Sequence, residues 1–216
     1  MPKFGLKKEF RMGPLELVKL DRLMQRSSGR AQVVIGLIDG PVAMDHPDLS
    51  GANIREVPGQ QSASCSLASS VACMHGTFVA GILSARRGSS APAICPGCTL
   101  LVRPIFAEAA SGNGDMPSAT PAELAAAIVE TVKAGARVIN LSAALLQPSG
   151  KGERELMQAL DCAAARGVIT VAAGNQGTVG SSAITRHAWV IAVAGCALSG
   201  RPIGESNFGS SIGRRG

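Results

Sequence analysis

Ala31-Gln-Val-Val-Ile-Gly-Leu-Ile38, followed by Asp39-Gly40-Pro41, is the stretch on which the fold turns. It is a near-continuous apolar run rich in β-branched residues. A strand with one wet face would alternate; an unbroken run is the pattern of a parallel strand buried on both faces. Asp-Gly-Pro then closes it in a turn. Side chains that do chemistry collect at the carboxyl ends of strands in open α/β sheets, so Asp39 is a candidate as well as a terminator.

Working outward, the same grammar repeats. Gly13-Pro14 opens a helical pattern over Leu15–Gln25 that Ser27-Ser28-Gly29 ends. Residues 57–72, rich in Gly, Ser and Gln, read as loop, and Gly76–Ala85 as a small-residue helix packed closely through Gly81. Thr99–Phe106 reads as a strand. Pro121–Lys133 is the clearest helix, with Thr120 to cap it, Pro121 in the first turn, Glu123 three residues after the cap and Gly135 past the end. Arg137–Leu141, Val168–Ala173 and Trp189–Ala194 read as strands, and Glu153–Ala165 as a helix. Strands alternating with helices predict a mostly parallel α/β sheet. With no internal repeat and no linker, the expected organisation is a basic tail over 1–13 and one domain over 14–216.

Composition narrows the function classes. Of 216 residues, 46% are apolar and 17% charged, which is a folded chain; only 3% are aromatic, so the core falls to Ala, Val, Ile and Leu. The net charge of +6 sits at the ends: residues 1–30 carry eight Lys/Arg against three acids, and 201–216 three Arg against one Glu. A nucleic-acid surface would spread its basic residues over the fold and interleave aromatics, so no nucleic-acid partner is expected. Val33–Ile38 and Val168–Ala173 are far shorter than the roughly 20 residues of a membrane span. No apolar run follows the charged start, so no signal peptide is expected either, which makes the cytoplasm the default place. The six cysteines are there expected as thiols.

Three polar residues stand at or beside strand ends: Asp39, Asn140 and Asn175. His75 begins the expected helix His-Gly-Thr-Phe-Val-Ala-Gly-Ile82, where the helix dipole would keep its imidazole neutral and suited to a general base. Singly, each has a plain reading. Asp39 and Asn175 fit turns, and His75 fits a surface or capping residue. Together, in the order Asp, His, Asn, they are far less likely to be a chance arrangement.

At these residues the sequence resembles the subtilases, the subtilisin-like serine peptidases. The matching stretches are Val34–Gly40 around the acid, His46-Pro-Asp-Leu49, His75–Ile82 around the base, Val138-Ile-Asn-Leu-Ser142, Val171-Ala-Ala-Gly-Asn175 and Ser206-Asn-Phe-Gly209. The resemblance spans roughly residues 15 to 213. It implies a subtilisin-like three-layer fold, a mostly parallel sheet flanked by helices, and serine endopeptidase activity on peptide or protein substrates. Asp39 would orient the imidazole, His75 would take a serine proton, and Asn175 would donate its amide to the oxyanion. Ser142, Ala143 and Ala144 would line the cleft and pair with substrate as an added strand. Ala143 and Ala144 depart from the family's usual Leu-Gly, which puts the S1 pocket's shape in question. The Glu16–Leu20 and Ile35–Pro41 phrasing, with Met74–Leu83, is similar to the proteases that mature cyanobactin-type peptides.

The nucleophile is the departure. Family members carry it in Gly-Thr-Ser-x-Ala, and no Gly-Thr-Ser occurs in the chain. The expected segment falls beyond Gly216, so the fold is expected to lack its C-terminal part and the chain to be inactive alone. The alternative is a non-catalytic peptide-binding pseudoprotease module. Gly209-Ser-Ser211-Ile-Gly213 imitates a nucleophile elbow, but that motif needs a strand before it, a helix after it, and the serine ahead of acid and histidine. Free thiols are the leading reading of the cysteines. Cys65–Cys73 or Cys95–Cys98 links, or a four-cysteine zinc site, are alternatives, and Cys162 and Cys196 are expected as buried small hydrophobes. No cofactor is implied. Asp45, Asp48 and Asp115 could ligate Ca²⁺ as in some members, although solvated loop acids are the plainer reading.

Overall fold

The computed structural model describes residues 13–108, 118–142, 152–173, 182–204 and 206. Strands β1 (Val34–Asp39), β2 (Ile54–Glu56), β3 (Thr99–Pro104), β4 (Val138–Leu141), β5 (Ile169–Ala173) and β6 (Val190–Val193) form one sheet in the order β2-β3-β1-β4-β5-β6. Each neighbouring pair is parallel. The sheet is therefore the parallel α/β sheet the alternation predicts, with the apolar run of β1 near its centre.

Parallel register divides each strand's side chains between two faces. Ile38 of β1 and Ile139 and Leu141 of β4 pack under α4 (Pro121–Lys133) and α5 (Gly152–Ala165), where Leu124, Ile128, Leu156 and Leu160 complete one core. Ile35 and Leu37 point the other way, to join Leu100, Val102, Val42 and Ala80 under α3 (Val71–Ser84). Beyond β1 this second face continues through Val138, Val171, Ile169, Ile191 and Val193 by register. The last three of these are exposed, as are Met74 and Phe78 on α3.

α4 has the expected bounds and cap. Thr120 Oγ1 accepts from the Glu123 N–H at 3.2 Å, and the Glu123 carboxylate accepts from the Thr120 N–H at 2.7 Å. Its outer end is tied to the sheet by the Arg103 Nε–Glu130 ion pair at 2.7 Å.

Several expectations need correction. The Leu15–Gln25 helix is two, α1 (Pro14–Leu17) and α2 (Leu20–Arg26), broken where Lys19 takes φ 57°. Val18 and Leu23 are exposed, so no single apolar stripe rewards a continuous helix. α3 starts five residues early because Ser70 Oγ caps it, accepting from the Cys73 N–H at 3.0 Å. β2 has no counterpart among the expected strands; three residues are too few to show a period. Cys162 is half-buried, its sulfur receiving Arg166 one turn on at 2.7 Å, and Cys196 is exposed in the turn after β6, so neither is a core residue. Among the described residues, no helix is long and apolar enough to cross a membrane.

Candidate active site

β1 delivers Asp39 to the carboxyl edge of the sheet, and its backbone is fixed there because Ile105 N–H donates to the Asp39 carbonyl at 2.9 Å. The carboxylate is 0% exposed. Its Oδ1 accepts from the Gly40 N–H at 2.6 Å and faces His75 Nδ1 at 2.7 Å. Among the described residues Oδ2 has no partner. The buried acid thus spends one oxygen on holding the imidazole. With Nδ1 committed, Nε2 is the ring nitrogen left for chemistry, on a side chain 39% exposed.

His75 lies in the second turn of α3 and not at its start, so the expected dipole effect is corrected too. The hydrogen bond to Asp39 and the carboxylate's charge raise the imidazole's pKa above its ordinary value, against partial burial, which lowers it. The acid, and not the helix terminus, sets the base.

Glycine lets the two elements meet. A Cβ on Gly40 would run into the Ala72 backbone, and one on Gly76 into the carbonyls of Gly40 and Pro41. Gly81, the glycine expected at the close contact, would meet only the Ala91 methyl at 3.4 Å. Thr77 adds a polar tie, its hydroxyl accepting from the Ala43 N–H at 2.9 Å.

Ser142 leaves β4 beside this pair. Its N–H donates to the Ile38 carbonyl at 3.1 Å, and its hydroxyl accepts from Asn140 Nδ2 at 2.9 Å. The structure therefore brings Asp39, His75, Asn140 and Ser142 to one edge. Asn175, Ala143, Ala144, Asp115, Ser211 and the Asn207–Gly209 stretch lie outside the described residues.

Cys65 and Cys73 form a disulfide, correcting the expectation of six thiols and removing the four-cysteine zinc site. Cys95 and Cys98 are free; burial first, then Cys98 beside it, pushes the Cys95 thiol up to about 12. Among the described residues, the one cluster with metal-ligand spacing is Cys65, Cys73 and Glu108, whose two sulfurs are already joined. Asp48 accepts from Ser90 Oγ at 3.0 Å and belongs to no such cluster. Sequence reasoning also missed Glu108, which accepts from Ser66 N–H, Ser66 Oγ and Leu67 N–H at 2.8, 2.5 and 2.9 Å. A partner 42 positions away leaves no local signal. A cavity of about 200 Å³ lined by Arg103, Glu123 and Glu130 lies against α4, on the face away from His75.

The chain is similar to known proteins in sequence and in fold. A family model described as the subtilase family matches residues 30–215. Subtilisin DY of Bacillus licheniformis is 31% identical over 169 residues, which is 77% of this chain and 56% of the relative. Among solved structures, a mutant of the protease domain of PatA is 29% identical with a TM-score of 0.71, covering 85% of this chain and 64% of that one. The prenylagaramide maturation protease PagA is 27% identical with a TM-score of 0.72, covering 89% and 64%. The chain thus spans between about half and two thirds of the length of these relatives. By its family match and its parallel sheet, the chain belongs to the subtilase family, with cyanobactin maturation proteases among its structural neighbours.

Proposed function

We propose that this chain carries the proton-handling part of a subtilisin-type serine endopeptidase, with Asp39 as the acid and His75 as the base. The observation that carries the reading is the 2.7 Å contact between a fully buried carboxylate and a half-exposed imidazole at the carboxyl end of β1. In this reading Nε2 of His75 takes the proton of a serine hydroxyl as its oxygen attacks the scissile carbonyl. The imidazolium, held by Asp39, returns that proton to the leaving amine, and water repeats the cycle on the ester. Asn175 donates its side-chain amide to the oxyanion, a type of contact worth about 2.7–4 kcal/mol where such a donor is removed from subtilisin. Ser142, Ala143 and Ala144 pair with the substrate backbone. The serine comes from a Gly-Thr-Ser segment outside these 216 residues, since none occurs within them. The exposed Ile169, Ile191 and Val193 on the second face of β5 and β6 support this, because such a segment would have an apolar bed to lie on. Likeness to PagA suggests precursor peptides as the substrate class, and the reading includes a cytoplasmic place.

The test reads the coding sequence past codon 216 and labels two proteins, the 216-residue chain and any longer chain, with a fluorophosphonate. Labelling of the longer chain alone, abolished by His75→Ala, is the expected result. Labelling of the short chain at an active-site rate overturns the missing serine. Peptide binding with no serine downstream supports the pseudoprotease instead. Trace hydrolysis decides nothing, since a site without one triad member still exceeds water by about 10³–10⁴-fold.

A further inference from the structure

The Cys65–Cys73 disulfide closes a ring of chain that contains the acid–base pair. From Asp39 the chain runs through Gly40 and Pro41 to Val42, whose N–H donates to the Ala63 carbonyl at 2.9 Å. The Val42 carbonyl in turn accepts from the Cys65 N–H at 3.2 Å. Cys65 is bonded to Cys73 in the first turn of α3, and His75 two residues later returns to Asp39. Thr77 Oγ1 lies 3.9 Å from each sulfur while holding Ala43. On the far side, Glu108 grips Ser66 and Leu67, so Cys65 is fastened at both flanks. Apart from the intervening chain, the bridge is the covalent tie between this loop and the helix that bears His75.

We infer that this disulfide is a redox-operated clamp on the positioning of His75 against Asp39, opened by small-molecule dithiols and closed by disulfide oxidants. The inference rests on the acid–base reading of that pair and names its regulation. The chemistry is directional. Cys65 is half-buried and Cys73 is buried, so an incoming thiolate attacks Cys65 Sγ. The S–S bond breaks, and its electron pair leaves on Cys73 Sγ. That thiolate sits in the first turn of α3, where the helix N-terminus stabilises it until it takes a proton from water. The second thiolate of the dithiol then attacks its own mixed-disulfide sulfur and releases Cys65. One protein disulfide and one dithiol become two protein thiols and one cyclic disulfide. A glutathione-type disulfide reverses the exchange. Cys95 does not compete at neutral pH, because its thiol is held protonated by burial and by Cys98.

Opening the ring leaves the hydrogen bonds from Val42, Thr77 and Glu108 in place but frees the loop from the helix. The expected result is a looser His75–Asp39 contact within an intact fold. The test follows the imidazole resonances of the 216-residue chain through a pH titration, before and after treatment with dithiothreitol. His75→Gln assigns the His75 signal among the three histidines. Site-resolved alkylation confirms that Cys65 and Cys73 have opened, and circular dichroism reports the fold. The proton affinity of His75 should fall by about threefold or more on reduction, return on reoxidation, and match the reduced value in Cys65→Ser/Cys73→Ser without reductant. An unchanged His75 titration with both thiols alkylated overturns the clamp. So does loss of the fold on reduction, which would make the bridge a structural staple, and so does a disulfide that millimolar dithiol leaves closed. If His75 titrates as an ordinary imidazole in the oxidised protein, the acid–base reading fails instead.

Discussion

Among the described residues, one face of the sheet is finished over half its width and open over the other half. Under α3, Leu37 and Leu100 are 0% exposed, whereas Ile169, Ile191 and Val193, on the same face beyond β4, are 39%, 46% and 42% exposed. Strand composition does not explain the difference. The opposite face of those outer strands is packed, with Ala172 of β5 and Val190 of β6 buried in the core that α4 and α5 cover. The halves differ in whether a layer of described residues lies on them. Asp39 and His75 belong to the finished half, and among the described residues their contact is made between β1 and α3. The proposed acid–base pair is thus assembled apart from the surface on which the rest of the proposed chemistry would rest.

The comparison breaks most directly through stability. Leu37→Ala should lower unfolding free energy by about 2–5 kcal/mol in urea titrations, because its neighbours cannot collapse onto the space. Ile191→Ala on the open half should change it by about 0.5 kcal/mol or less. Equal losses would mean that the open half is packed after all. Next in size is Thr77→Val, which strips the acceptor from the Ala43 N–H and should cost about 1–3 kcal/mol in the same assay.

Asp39→Asn sharpens the electrostatic side. It should bring the His75 titration back down toward an ordinary imidazole, read by NMR, since the Asp39 hydrogen bond is the largest cause of the rise. The sign follows from linkage. A raised folded-state pKa contributes stability that is fully present below the unfolded value of about 6.5 and is lost as pH climbs through the folded one. The stability gap between Asp39→Asn and the parent should therefore narrow from pH 6 to pH 9. A gap that widens would place the proton elsewhere. The smallest expected change is Ile191→Lys with Val193→Lys, neutral within about 0.5 kcal/mol but weakening the binding of an apolar dye. Marked destabilisation would show those side chains to be buried in solution.

Much of this is legible from residues in order. β1 declares itself by its unbroken apolar run, and α4 by Thr120, Pro121 and Glu123, because buried parallel strands and capped helices write their rules locally. Asp39 and His75 are legible as residues but not as a geometry: the true start of α3 is hidden, since Ser70 reads as one more loop serine. Cysteine spacing leaves the Cys65–Cys73 link as one alternative among several, and Glu108 and the Thr77–Ala43 tie are illegible, all for a shared reason. Each pairs positions through the fold, and neither partner carries a periodic or capping signal of its own. The open face belongs to the same class, for exposure depends on what lies above a strand and not on its letters.

Gly40 and Gly76 let backbone meet backbone where the strand exit crosses the helix. The spacing between acid and base is consequently gauged by main-chain atoms, which every sequence shares. Apart from the Cys65–Cys73 bridge, side chains around the site can drift over generations, or be redesigned in a library, without rescaling it. Those two hydrogens are the positions where such freedom ends.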